Sequence, residues 1–335
     1  MSHVEPRFMA ENTKLDAALS IDLVRVVEAA AISAARLVGH GDEKAADAAA
    51  ANAMRLALRQ VSIQGKVVIG DGPRGAVPAL YIGEAVGAGG VTADVIVDPL
   101  ECISRAARSG PDSLSLVAIG APGAFLPVPA VYMEKLSVGP AAAGAAISLT
   151  ASPEDNVRAV AAALGKPTAE VTVCLLDRPR HANFVQGIRS TGARVRLIGD
   201  GDIVGALLPS LHETGVDIYF GTGGAPEGVF AAAALRGLGG RILARLTPRN
   251  DDERSQLNAV GITDTTRTYA TEDLAAGDVI FAAAGVTPGA LLDGAHVGSH
   301  HADTHSVVIR SRTGSVRWIK THHRLDETGN LRLGN

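Results

Sequence analysis

The chain has 335 residues, 47% of them hydrophobic and 20% charged, with a formal net charge of -4 and a pI near 6.2. This composition excludes an extended disordered protein and supplies apolar material for one large domain or two ordinary ones. With no run of Lys and Arg and no basic–aromatic stripe, nucleic acid is excluded as the expected partner. No apolar run reaches the roughly 18 residues of a membrane span, and Met1 to Lys14 contain no apolar signal core. The expectation is a cytoplasmic protein that does not bind membranes.

Residues 1–14 read as a flexible tail. From Leu15 to Val38, the apolar positions Leu19, Leu23, Val26, Val27, Ala30 and Ala34 recur at helical spacing, and Gly39-His40-Gly41 ends that helix. A second helix is predicted from about Glu43 to Arg59, with Asp47 among alanines in its first turns. Val67-Val68-Ile69 is a short buried strand that runs into Gly70-Asp71-Gly72-Pro73. The next apolar run, Val95-Ile96-Val97, ends in Asp98-Pro99-Leu100-Glu101, which places two carboxylates at the carboxyl edge of a strand. Leu114 to Ile119 forms another strand. Gly139 to Gly144 reads as a hinge, so the chain is expected to divide into an α+β half, 15–150, and an α/β half, 151–335.

The second half is more regular. Ser152-Pro153-Glu154-Asp155 is a helix start, with a capping Ser, Pro at the first position and acids in the first turn; that helix ends at Gly165. Strands are predicted at Val171–Leu176, Val195–Ile198 and Asp217–Phe220, each followed by a helix. This alternation implies an α/β sheet with parallel strands. Polar residues gather where strands give way to helices: Asp177 and Arg178, Asp200 and Asp202, and Gly223 to Glu227. Ligands of open α/β sheets bind at such carboxyl ends.

Asp71, Asp98, Glu101 and Glu227 each fall just after a strand. Singly, each could be a helix-capping carboxylate. Together they would repel one another, because like charges in one site raise each other's pKa, and a hard cation such as Mg²⁺ or Mn²⁺ resolves that with oxygen ligands. Arg178 and Arg180 suit bidentate contact with phosphate. The glycine-rich stretch Gly221 to Gly224 could cradle phosphate at a helix start, but no Lys-Ser/Thr follows and it is not a Walker loop. Six of the ten histidines come late, from His296 to His323; they share no helical face and are expected in solvated loops. Cys102 and Cys174 make neither a zinc pattern nor a disulfide framework.

Several passages, in order along the chain, resemble the class II, bacterial-type fructose-1,6-bisphosphatases, a branch of the lithium-sensitive, metal-dependent phosphatase superfamily. They are Gly41-Asp42 through Asp47, Asn52 to Arg55, Leu80 to Glu84, Asp98 to Glu101, and Tyr132-Met133-Glu134-Lys135-Leu136. Arg178 to His181, Asp200-Gly201-Asp202, Gly223-Gly224-Ala225-Pro226-Glu227-Gly228 and Asp278 through Thr287 complete the series. The resemblance implies a layered α/β/α/β/α sugar-phosphatase fold, a divalent Mn²⁺ or Mg²⁺ cluster, and hydrolysis of the 1-phosphate of a sugar phosphate such as fructose 1,6-bisphosphate. The implied metal ligands are Asp47, Asp71, Asp98, Glu101 and Glu227, with Asp98 and Glu101 also catalytic. The implied substrate contacts are Tyr132, Arg178, Arg180, Asp200, Gly201, Asp202 and Gly224. A homo-oligomer, dimer or tetramer, goes with the family.

The chain departs from that pattern at the reaction centre. The family's Gly-Glu-Gly-Glu is Gly70-Asp71-Gly72-Pro73, its Lys after Gly-Asp is Glu43, and the Gly-Thr after its Asp-Pro-Leu-Glu is Cys102-Ile103. Ile103 cannot hold a water as Thr would, and Ser104 is predicted to point about a quarter turn away. The alternative reading is a paralogue that binds a sugar phosphate without hydrolysing it, or that uses it in different chemistry.

Overall fold

A computed structural model describes residues 15–327 and 331–332; the predicted tail, 1–14, lies outside them. The chain opens with α1 (Leu19–Ala35) and α2 (Glu43–Leu58), then β1 (Ile63–Ile69), β2 (Ala85–Val86), β3 (Val91–Glu101), α3 (Ile103–Ala107), β4 (Leu114–Gly120) and β5 (Tyr132–Val138). Next come α4 (Pro153–Leu164), β6 (Thr172–Leu176), α5 (Ala182–Ser190), β7 (Arg194–Ile198), α6 (Asp202–Leu207), β8 (Ile218–Gly224), α7 (Ala225–Leu238), β9 (Arg241–Leu246) and α8 (Asp251–Ala259). It closes with β10 (Tyr269–Ala270), α9 (Thr271–Leu274), β11 (Val279–Gly285), β12 (His296–Val297), β13 (His301–Arg310) and β14 (Ser315–Arg324).

Two sheets form. The eight-stranded sheet runs β13-β11-β4-β3-β1-β2, with β12 and β14 also paired to β13; the six-stranded sheet runs β10-β9-β5-β8-β6-β7. Strand alternation decides what lies between them. Ile96, Leu116, Ala118, Phe281 and Ala283 face one way and pack with α6, α7 and residues of the second sheet such as Met133, Tyr219 and Ile242. Their neighbours Val95, Val97, Val117, Ile119, Ile280 and Ala282 face the other way, against α1 and α2. A period of two that is apolar on both sides is the mark of a sheet covered on both faces. The second sheet is covered likewise: Val138, Val173, Leu175, Ile218 and Phe220 pack against Val157, Val160 and Ile188 of α4 and α5. The layers are therefore helix, sheet, helix, sheet, helix, as the resemblance implies.

Strand direction departs from the sequence reading. Only β6 with β7, β6 with β8, and β1 with β3 are parallel; β5, β9 and β10 in the second sheet, and the remaining pairs of the first, are antiparallel. The two sequence halves do not map one to each sheet, since β5 precedes residue 150 and joins the second sheet while β11 to β14 return to the first. Gly139 to Gly144 is not a hinge in form. It holds a short 3₁₀ turn, and a Cβ on Gly139 would sit 1.9 Å from the Pro209 carbonyl oxygen. The late histidines are largely on strands: His296, His301, His305, His322 and His323 lie on β12, β13 and β14, with the predicted turn at Gly314 between the last two. The Ser152 cap is present, its side chain accepting from Asp155 N–H, and Gly165 ends α4 in the left-handed conformation.

Candidate active site

Asp98 and Glu101 are three apart on β3, a spacing that would send them to opposite faces of a regular strand. The pairing with β4 shifts between them: Asp98 opposes Leu116 but Glu101 opposes Leu114. Pro99 has no N–H for the ladder, and its carbonyl accepts from Ser115 Oγ at 2.7 Å. The extra residue of this irregularity returns Glu101 to the side of Asp98. Both line one polar cavity of about 500 Å³, and the two carboxyls share a hydrogen bond.

The loop after β1 carries Asp71. Gly70 is required there, because a Cβ would stand 2.1 Å from the Leu80 carbonyl oxygen, the same oxygen that accepts from Asp71 N–H at 3.1 Å. Arg55 of α2 ties this loop down by binding the buried Glu84 at 2.6 Å. One half-buried pair thus fastens the segment bearing Asp71 to the helix bearing Asp47. Burial pushes Asp71 up to about 6, with the charge of Asp47 adding to it.

From the other sheet, Glu227 projects from the first turn of α7. Gly224 makes room for it: a Cβ there would lie 2.0 Å from Glu227 Oε2. That oxygen is buried and has no hydrogen-bond partner among the described residues. Burial raises Asp98 to about 7, against a hydrogen bond from Glu101 and helped by the charges of Glu227, Asp71 and Asp47. Burial, followed by Asp98, raises Glu101 well above the carboxylate range. Burial also raises Glu227, while Lys135 pulls it back. The predicted acids therefore form one electrostatically coupled group, with Asp98, Glu101 and Glu227 on the cavity wall.

This donor set is all oxygen, it is negatively charged, and one buried atom lacks a partner. It fits a hard divalent cation. Among the described residues no group of three or more His, Cys, Asp or Glu side chains is arranged as a ready-made metal cage.

The same cavity is also lined by two guanidiniums. Arg178 donates to the Gly199 carbonyl at 2.6 Å and lies 3.7 Å from Asp200. Arg180 donates through Nε to the Thr222 carbonyl at 3.0 Å, and its guanidinium lies 5.5 Å from the centre of the Tyr132 ring. Tyr132, Asp200, Asp202, Gly223 and Gly224 share this cavity with Asp98 and Glu101. Gly221 to Gly224 is not the predicted loop: β8 extends through Gly224, and α7 starts at Ala225. Gly201 starts α6 with φ of 90°. Asp202 is buried, and its two oxygens are taken by Tyr219 Oη and Lys135 Nζ. Its side chain therefore works inside the protein and braces the rim.

Two residues had no role in the sequence reading. Lys135 is fully buried and balances Asp202; its only sequence signal is a charge in the alternating strand Tyr132-Met133-Glu134-Lys135-Leu136. Arg249 stands 4.1 Å over the Tyr132 ring, and an Arg just before a helix start is too common to mark a site. At the reaction centre, Cys102 has φ of 61°. Ile103 is half-buried, packs toward the core of α1 and α2 and also borders the cavity. Ser104, the next residue of α3, is exposed and also borders the cavity.

Stacked α/β/α/β/α layers, with carboxylates and guanidiniums lining one cavity fed by both sheets, define the layered sugar-phosphatase fold. The family model described as "Bacterial fructose-1,6-bisphosphatase, glpX-encoded" matches residues 17–323. The chain is 42% identical over 323 residues to fructose-1,6-bisphosphatase 1 class 2 of Escherichia coli strain K12, covering 92% of this chain and 96% of that one. The same figures hold for the class 2 fructose-1,6-bisphosphatase of Shigella flexneri. The chain belongs to the bacterial, class 2 fructose-1,6-bisphosphatase family, a family of sugar-phosphate hydrolases. No helix among the described residues is long and apolar enough to cross a membrane.

Proposed function

We propose that this protein hydrolyses a phosphomonoester of a sugar bisphosphate such as fructose 1,6-bisphosphate. The observation that supports this most is the one cavity lined by Asp98, Glu101 and Glu227 together with Arg178 and Arg180. In this reading Asp47, Asp71, Asp98, Glu101 and Glu227 hold Mg²⁺ or Mn²⁺. The bound cation supplies Lewis-acid polarisation of phosphoryl oxygen and water. Arg178 and Arg180 bind phosphate oxygens, Tyr132 and Asp200 orient the sugar, and Gly201 and Gly224 let backbone approach it. Asp202 holds the rim through Lys135 and Tyr219. Water attacks phosphorus, the bond from phosphorus to the sugar oxygen breaks, and the Asp98–Glu101 pair takes the proton the water gives up. The same pair returns that proton to the leaving sugar oxygen, and the products are inorganic phosphate and a sugar monophosphate.

The test is phosphate release from fructose 1,6-bisphosphate with Mg²⁺ or Mn²⁺. The unmodified protein is expected to release phosphate only with cation, and Asp98→Asn to lose roughly 10²-fold or more. Tight binding without phosphate release would replace this reading with that of a non-hydrolytic paralogue, toward which the Cys102-Ile103 pair points.

A further inference from the structure

Tyr132 lines the cavity from the six-stranded sheet: it begins β5 and pairs with Gly224 of β8, while its carbonyl accepts from Thr247 N–H at 2.8 Å. That last bond fixes the start of the loop that leads from β9 to α8. The loop is fixed again at its far end, where Asn250 caps α8 by accepting from Glu253 N–H. Arg249 lies between these two anchors. Its backbone N–H donates to Glu253 Oε2 at 2.7 Å, and its Nε to Glu253 Oε1 at 2.7 Å. Glu253 is buried at 6% exposure, whereas the Arg249 side chain is 58% exposed. The carboxylate is thus a fixed base, and the guanidinium is held on it in one orientation, laid over the phenol ring. Arg180 is fixed in the same manner by the Thr222 carbonyl and approaches the same ring. Two guanidiniums thus lie beside one phenol, each held by one edge on a protein oxygen; Tyr132 and Arg180 line the cavity that Asp98, Glu101 and Glu227 also line, and Arg249 adjoins them over the Tyr132 ring.

Resting on the reading of the cavity as a sugar-bisphosphate site, we propose that Arg249 is a specificity-determining residue, which with Arg180 and Tyr132 binds the phosphate that is not hydrolysed. A guanidinium held by one edge keeps donors on the other, and planar donors match phosphate oxygens. Because the phosphate bound there is not the one that reacts, Arg249 contributes to binding of the doubly phosphorylated substrate and not to the bond-breaking step. A monophosphate lacking that group has nothing to offer it.

The experiment compares fructose 1,6-bisphosphate with fructose 1-phosphate on the full chain with Mg²⁺, by phosphate-release kinetics and by calorimetric binding. Arg249→Gln is expected to raise KM and Kd for the bisphosphate about tenfold, the scale of one lost charge-assisted hydrogen bond. Its KM for the monophosphate should move less than twofold, and Arg249→Lys should recover part of the bisphosphate affinity. Equal losses on both ligands, or a fall in kcat with KM unmoved, would overturn the inference and leave hydrolysis standing. Discrimination between the two ligands that is lost in Arg249→Gln, without phosphate release, would support the inference while defeating the hydrolytic reading. Binding of neither ligand would defeat both.

Discussion

Cys102 occupies a left-handed backbone conformation, with φ of 61° and ψ of 47°, which costs a residue with a Cβ roughly 1–2 kcal/mol. Burial and then the neighbouring carboxylates push its thiol well up, so it is a poor nucleophile. The structure thus gives a local reason for the family's glycine at this place and assigns the sulfur no chemistry. Ile103 adds apolar bulk beside the acids, and Ser104 leaves a hydroxyl on the same wall. Cys102→Gly with Ile103→Thr is expected to raise the cation-dependent rate of phosphate release by about 10²-fold, within the range for one positioned acid–base group. Ser104→Ala in the unmodified background should lower that rate if its hydroxyl substitutes for the missing one. A double variant no faster than the unmodified protein would show that the reaction centre does not depend on a Thr at 103.

At the scale of elements, the segments around the cavity are locked from behind by buried polar groups. His181 is buried between two of them: its Nδ1–H donates to the Leu176 carbonyl at 2.8 Å, and its Nε2 accepts from Thr222 N–H at 3.2 Å. The bond accepted at Nε2 requires the neutral ring with its proton on Nδ1, and burial lowers its pKa. Unfolded protein therefore takes up this proton first. The stabilisation is complete above the unfolded value of about 6.5 and is lost as pH falls through the depressed folded value. The gap in Tm between unmodified protein and His181→Gln should be widest near pH 8 and should narrow toward pH 5; a gap independent of pH would contradict the neutral tautomer. Lys135 is the second lock. Lys135→Met leaves Asp202 buried without its cation and should cost roughly 3–5 kcal/mol in denaturant unfolding, a loss that an unchanged midpoint would rule out. These locks mark the limit of what the sequence disclosed. The capped helix start at Ser152, the helix from about Glu43 and the strands at 172–176 and 194–198 were legible because caps and apolar runs are local signals. The β3 irregularity was not, because it depends on how β4 registers against Pro99. Nor was strand direction, since alternation of helices and strands does not reveal that β5 runs against both of its neighbours, β8 and β9. The acids were legible as charges at strand ends; Lys135 and Arg249 were not, because their partners Asp202 and Tyr132 lie 67 and 117 residues away in the chain.

For the whole molecule, the acids come from both sheets, so any cation they hold joins the two layers. Asp98 and Glu101 belong to the eight-stranded sheet, whereas Glu227 begins the helix that follows β8 of the six-stranded one. Without a cation, the folded state gathers carboxylates that the unfolded chain keeps apart in water. Asp98, raised to about 7 in the folded protein, makes the sign plain. A group whose folded pKa lies above its unfolded value favours folding at low pH, and that contribution disappears as pH rises through about 7. In chelator, the unmodified protein should therefore lose Tm between pH 5 and pH 8, and Asp98→Asn should lose less, ending more stable than the unmodified protein at pH 8. Adding Mg²⁺ or Mn²⁺ at pH 8 should reverse the order. A cation at a hundred times its Kd contributes about 2.7 kcal/mol to the folded state, which is several degrees of Tm for a chain of this size. The shift should be large in the unmodified protein and small in Asp98→Asn. Equal shifts in the two proteins would mean that the cation binds elsewhere, and the bridge between the sheets would have to be abandoned.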